Sequence, residues 1–212
     1  MRKPLLSVLG LCLVVFFVVA PAVVHYRMRY DHFKRLRVVT TGKVYRSGQL
    51  SEAGLREAIR QLGLKAVVNL QDETPEPIFP SGKLESEVCA EEGTRFIFLP
   101  PDTLSHKKAT MARPRAVDEF LRIMDDSTNY PVLLHCRAGL HRTGTLVALY
   151  RIEYESWPCR DALIELQDNG FGRSDCNVRN DYLSQYLIHY QPRTRSARGD
   201  LPALLNKDSR GP

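Results

Sequence analysis

The run PVLLHCRAGLHRTG, residues 131–144, decides how the fold is read. Val132, Leu133 and Leu134 form an unbroken apolar stretch, the pattern of a strand covered on both faces of a sheet. A tight loop follows from His135, and a helix begins near Thr143. Where a strand passes through a short loop into a helix, backbone N–H groups and the helix N-terminus can gather around an anion. Gly139 supplies the conformational freedom that such a curl needs. Arg142 can fork onto two oxygens of a phosphate. Cys136, at the foot of this ring of donors, sits where a thiolate is favoured over a thiol. A lone cysteine is more often a small buried apolar residue. Here His135 precedes it, and Gly139, Arg142 and Thr143-Gly144 follow at short intervals, so the chemical reading outweighs the packing one.

On both sides of this junction strands and helices alternate. Strands are expected at 44–45, 65–70, 95–99 and 132–135, with helices at 52–61, 84–92, 114–124, 143–153, 159–168 and 178–189. The helix at 52–61 has Ser51 as its cap, Glu52 in its first turn, Leu55, Ile59 and Leu62 on one face, and Gly63 to end it. Loops are expected at 72–82, which is acidic and Pro-rich, and from Pro100 to about Met111. This alternation predicts an α/β fold of three layers, a mostly parallel central sheet with helices on both faces.

Residues 5–24, LLSVLGLCLVVFFVVAPAVV, carry no charge. Twenty helical residues span about 30 Å, the thickness of a bilayer core. The segment predicts an N-terminal transmembrane helix; the alternative is a secretory signal cleaved near Ala22. Arg27, Arg29, Lys34, Arg35 and Arg37 follow it and outnumber Arg2 and Lys3, which favours a cytoplasmic catalytic domain. The expected organisation is therefore a membrane anchor with a basic juxtamembrane segment at 1–37, a catalytic domain at 38–190 and a flexible basic tail at 191–212. The net charge is +6, but the two ends together hold +9, so residues 38–190 hold −3. A nucleic-acid-reading domain would show the reverse distribution, and no nucleic acid partner is expected. Five cysteines in 212 residues are too few for a disulfide scaffold, and none has zinc spacing with histidine.

His135-Cys136-x-x-Gly139-x-x-Arg142-Thr143-Gly144 resembles the signature of the cysteine-dependent protein tyrosine and dual-specificity phosphatases. VYRSGQ at 44–49 and LKAVVNL at 64–70 resemble the small atypical dual-specificity branch, and the similarity covers about residues 42–190. The resemblance implies attack on phosphorus by Cys136, a cysteinyl-phosphate intermediate, its hydrolysis by water, and no metal or organic cofactor. It implies that Arg142 and the loop amides of Arg137, Ala138, Gly139, Leu140 and His141 bind the phosphoryl group, that Thr143 assists the departing thiolate, and that His135 orders the loop. It places the general acid in an upstream loop, where Asp102 lies 34 residues before Cys136; Asp72 and Glu73 are weaker candidates. Phosphorylated protein, phosphotyrosine above all, is the first substrate class. A phosphoinositide or inositol phosphate is the second, because Arg137 and His141 would make the loop strongly cationic; Lys107 and Lys108 read rather as a solvated turn. A phosphate-binding pseudophosphatase is the third reading. Gln71 stands where similar phosphatases commonly carry an arginine. Cys159 and Cys176 are expected as isolated thiols, with pairing as the alternative if the chain is exported; the resemblance leaves a reversible disulfide between Cys89 and Cys136 as a minor reading.

Overall fold

The computed structural model describes residues 12–27, 32–71, 78–99, 114–171 and 186–193. A π-helical turn, Val15–Val19, leads into α1, Ala20–Arg27. Then come β1 (Arg37–Thr40), β2 (Val44–Ser47), α2 (Glu52–Leu62), β3 (Ala66–Asn69), α3 (Glu85–Glu91), β4 (Arg95–Phe98), α4 (Arg115–Asp125), β5 (Val132–His135), α5 (His141–Tyr154) and α6 (Cys159–Asp168). The sheet order is β1-β2-β5-β3-β4, with β1 antiparallel to β2 and every other pair parallel. This is a mixed α/β fold with a five-stranded, mostly parallel sheet.

Alternate residues of the central strand feed two cores. Val132 and Leu134 pack with Phe120 and Met124 of α4, Leu149 of α5 and Leu166 of α6. Leu133, on the other face, packs with Leu55 and Ile59 of α2 and Val88 and Cys89 of α3. Because both faces are covered, β3 and β5 are buried throughout, which is why they read as unbroken apolar runs. The signals around α2 act as expected. Ser51 Oγ accepts the Gly54 N–H at 3.1 Å, and Gly63 takes a left-handed φ of 61°.

Strand β1 was not expected, since Arg37 closes a basic run and the catalytic domain was drawn from residue 38. Its β-branched Val38, Val39 and Thr40 lead into a turn closed by Lys43 N–H on Thr40 O at 3.0 Å, which makes a hairpin with β2. Of the helix expected at 178–189, the described part is helical at 186–188, where Leu187 is fully buried. Arg193 donates to Glu153 at 2.7 Å and to Asp125 at 2.6 Å, so the first residues of the expected tail are tied to α5 and α4.

Among the described residues no helix is long and apolar enough to cross a membrane. The described helix runs over residues 12–27, sixteen residues, a rise of roughly 24 Å against the ~30 Å of a bilayer core. Residues 5–11 of the expected span lie outside the described residues.

Candidate active site

The candidate site forms where β5 runs into α5. Hydrophobic burial fixes both elements, and the loop between them, residues 136–140, spans the gap between a strand end and a helix start. Cys136 is 4% exposed, and its Sγ accepts the Gly139 N–H at 3.2 Å. Arg142 lies in the first turn of α5, half-buried, with Nη1 3.4 Å from Leu70 O at the end of β3. The N-terminus of α5 adds its unpaired N–H groups and partial positive charge behind the loop.

Three consecutive loop carbonyls point outward, and each meets a donor from outside the loop. Gln49 N–H donates to Arg137 O at 3.2 Å, Arg35 Nη1 to Ala138 O at 3.0 Å, and Arg46 Nη2 to Gly139 O at 2.8 Å. In a planar trans peptide the C=O of one residue and the N–H of the next point in opposite directions. Carbonyls of 137–139 held outward therefore turn the N–H groups of Ala138, Gly139 and Leu140 inward, over Cys136. Gly139 permits this at φ 72°, and its missing side chain leaves room for the end of β2. The result is a cradle of inward-turned amides at a sulfur, with a guanidinium supplied from the first turn of α5, a donor set suited to holding a phosphoryl group while the sulfur attacks it.

The remaining expected residues fall as follows. Thr143 is fully buried directly after Arg142, and its Oγ1 has no hydrogen-bond partner among the described residues. Arg137 is exposed at the loop's outer edge, while Ala138 and Leu140 are half-buried. His141 packs edge to face on Phe171, and burial together with the neighbouring Arg142 guanidinium holds its imidazole below the ordinary histidine value. The shift favours the neutral ring, so the loop is less cationic than its sequence suggests. The polar neighbour of the His135 ring is not a loop amide: Nε2 lies 3.3 Å from Glu85 Oε1. Glu85, 1% exposed, accepts from Gln49 Nε2, and Gln49 Oε1 in turn accepts from Gln71 Nε2. Gln71 thus belongs to a buried polar chain behind the loop. Asp102, Asp72, Glu73, Lys107, Lys108 and Cys176 lie outside the described residues.

Arg46 lies beneath the loop, 4% exposed, with its Nη2 on the Gly139 carbonyl. Arg35, Gln49 and Glu85 carried no signal in the sequence, because each acts through a contact that only the fold creates. Cys89 is fully buried among the residues of the α2–α3 face, whereas Cys136 packs with the opposite face. Burial and the nearby Glu85 push the Cys89 thiol up to about 12, an inert state. Among the described residues, no group of three or more His, Cys, Asp or Glu side chains could hold a metal ion.

A mostly parallel sheet with a cysteine-and-arginine cradle at a strand–helix junction defines the class: the cysteine-dependent phosphatases of the dual-specificity type. The chain belongs to the family described as DSP-PTPase phosphatase fused to NAD+ kinase, whose model matches residues 23–175. The solved structure of Pseudomonas aeruginosa TpbA is 25% identical, with a TM-score of 0.55 over 74% of this chain and 84% of that one. The core catalytic domain of PP-IP phosphatase SIW14 from Saccharomyces cerevisiae shares the fold at 19% identity, with a TM-score of 0.59 over 76% and 87% of the two chains. Inositol diphosphatase DSP5 of Arabidopsis thaliana is 29% identical over 127 residues, 59% of this chain and 57% of that protein. The chain spans less than two thirds of the length of the curated relatives it matches.

Proposed function

We propose that this protein is a phosphomonoester hydrolase that works through a cysteinyl-phosphate, with phosphotyrosine in proteins as its first substrate class. The observation that carries this reading is the Cys136 sulfur at the foot of an inward-turned amide cradle, with Gly139 N–H 3.2 Å away and Arg142 in the first turn of α5. In this reading Cys136 attacks phosphorus and the P–O bond to the leaving group breaks. Asp102 protonates the departing oxygen. Arg142 and the amides of residues 137–142 hold the three phosphoryl oxygens, Thr143 supports the departing thiolate, and water then cleaves the S–P bond.

A second reading keeps the chemistry and changes the substrate to an inositol phosphate or pyrophosphate. Two of the similar proteins are named for such substrates, and the exposed Arg137 guanidinium adds charge at the loop's rim. The proposed placement is at a membrane, anchored through residues 5–24, with the catalytic domain on the cytoplasmic side. It is supported by the uncharged run itself and by the exposure of Leu13, Phe16, Phe17, Val18 and Val24 along the described helix.

The test is phosphate release by the full chain reconstituted in vesicles. The substrates are a phosphotyrosine peptide, a phosphoserine peptide, a vesicle-borne phosphoinositide and a soluble inositol pyrophosphate. Fastest release from the phosphotyrosine peptide is the expected result; preference for the pyrophosphate selects the second reading, and release from none overturns both. Asp102→Asn refines the assignment. It should slow alkyl phosphate hydrolysis by about 10²-fold or more, because an alkoxide cannot leave unprotonated. Activated aryl phosphates and phosphoanhydrides, whose leaving groups are weak bases, should be nearly unaffected. Equal losses on all of them would remove Asp102 from the role.

A further inference from the structure

The loop's carbonyl side is built as carefully as its amide side. Arg35 and Arg46 come from different parts of the chain, yet their guanidinium groups meet adjacent carbonyls, Ala138 O at 3.0 Å and Gly139 O at 2.8 Å. We propose that Arg35 and Arg46 are positioning residues that hold the 136–142 loop by its outward carbonyls, fixing the amide cradle and setting a buried positive charge behind Cys136. The inference rests on the reading of Cys136 and the loop as the phosphate site, and it extends that site to residues that never touch substrate.

Arg46 comes from β2, one position before the strand ends, in register with Leu134. It is 4% exposed, and its Nη1 has no hydrogen-bond partner among the described residues. Burial brings the guanidinium down to about 10, so it stays charged at neutral pH. The charged and titratable groups around it are Glu165, Arg37, Cys136 and Arg151. A buried cation is costly to keep unless it does electrostatic work. The geometry supplies that work: a carbonyl dipole at Nη2, and the charge that Cys136 and a bound phosphoryl group bring to the other side of the same peptide.

Arg35 reaches the loop from the segment just after the expected anchor. Its own backbone is left-handed, φ 54°, an unfavourable conformation for a residue with a side chain. Neighbouring contacts hold it there. Gly48 N–H donates to Lys34 O at 2.7 Å, and Leu36 packs against the α2–α3 core. A Cβ on Gly48 would lie 2.9 Å from the Lys34 side chain and 3.1 Å from Ala138 O, so the segment, the turn after β2 and the loop all converge on residue 48. Residues 34–36 are thereby part of the loop's support.

The test uses the full chain with Arg35→Ala, Arg35→Lys, Arg46→Met and Arg46→Lys. The first readout is the pH dependence of Cys136 alkylation by iodoacetamide; the second is protection of Cys136 by inorganic phosphate; melting temperature controls for folding. The two charge-removing variants should alkylate roughly tenfold more slowly at pH 6, a displacement of the profile by about one pH unit. They should also need more phosphate for protection, and the lysine variants should recover part of both. Should Arg46→Met fail to fold, the half-buried Arg35 decides. A folded Arg35→Ala chain with the unsubstituted alkylation profile and phosphate protection would overturn the proposal. Alkylation reads the clamp without turnover. Absence of phosphate release by the unsubstituted chain would therefore mark failure of the proposed function, separately from failure of the clamp.

Discussion

Cys136→Ser is expected to abolish phosphate release, by about 10⁵-fold or more, while leaving phosphate bound. The argument is one of nucleophile ionisation. A thiol is intrinsically far more acidic than a serine hydroxyl, which remains protonated near neutral pH; and the two imidazoles of the motif are engaged elsewhere, His135 beside Glu85 and His141 against Phe171. The substitution is otherwise small. An oxygen in place of Sγ still accepts the Gly139 N–H, and the bonds that Gln49, Arg35 and Arg46 make to the loop carbonyls do not involve residue 136. The cradle should therefore survive, and inorganic phosphate or a non-hydrolysable phosphotyrosine analogue should bind with affinity close to that of the unsubstituted chain. Phosphate release and equilibrium binding, measured on the same preparation, separate the two effects. Turnover surviving in the serine variant would place the nucleophile elsewhere. Loss of binding along with turnover would mean the sulfur also shapes the loop.

The features of this site that could be read from sequence are those written in local spacing. Cys136, Gly139, Arg142 and Thr143 lie within eight residues of one another, and their chemistry needs only a strand before them and a helix after them. The elements that carry them were legible for the same reason: an apolar run marks β5, and a capping serine and a terminal glycine bracket α2. What stayed hidden is non-local. Arg35 meets Ala138 across 103 positions and Arg46 meets Gly139 across 93, and local spacing does not say which loop carbonyl either one meets. β1 was missed because Arg37 belongs to a basic run that reads as juxtamembrane, although the β-branched Val38-Val39-Thr40 and the Thr-Gly that follows are a hairpin signal. His141 shows the opposite failure. Its residue type suggested charge, and burial against Phe171 beside Arg142 disfavours it. The practical consequence concerns fragments: a chain begun at residue 38 would lack Arg35 and Lys34, and with them one of the three outer contacts to the loop.

Gly139→Ala should damage both the cradle and the stability of the fold. Two costs act at once. The residue sits at φ 72°, where an alanine costs about 1 kcal/mol relative to glycine. The added Cβ would also lie 2.5 Å from Gly48 N and 2.6 Å from Ser47 C and O, all backbone atoms at the end of β2 that cannot swing aside as a side chain would. The loop must lift away from β2. That motion breaks the Arg46 bond to Gly139 O and the Gln49 bond to Arg137 O together, and it moves the Gly139 N–H off Cys136. Losing one well-placed donor to a developing anion costs about 10²–10³ in rate, so kcat/KM should fall by roughly 10³. Stability should fall by about 3 kcal/mol, seen as a drop of roughly 5–10 °C in melting temperature. Gly63→Ala is the control that separates the two costs. Gly63 has a similar φ of 61° with nothing within 4 Å of where its Cβ would stand, so that variant meets only the backbone penalty. It should lose about 1 kcal/mol and retain full activity. If Gly139→Ala behaves like Gly63→Ala, with a small stability loss and unchanged kcat/KM, then the close packing of the loop on β2 is not what holds the cradle. The orientation of its amides would then need another source.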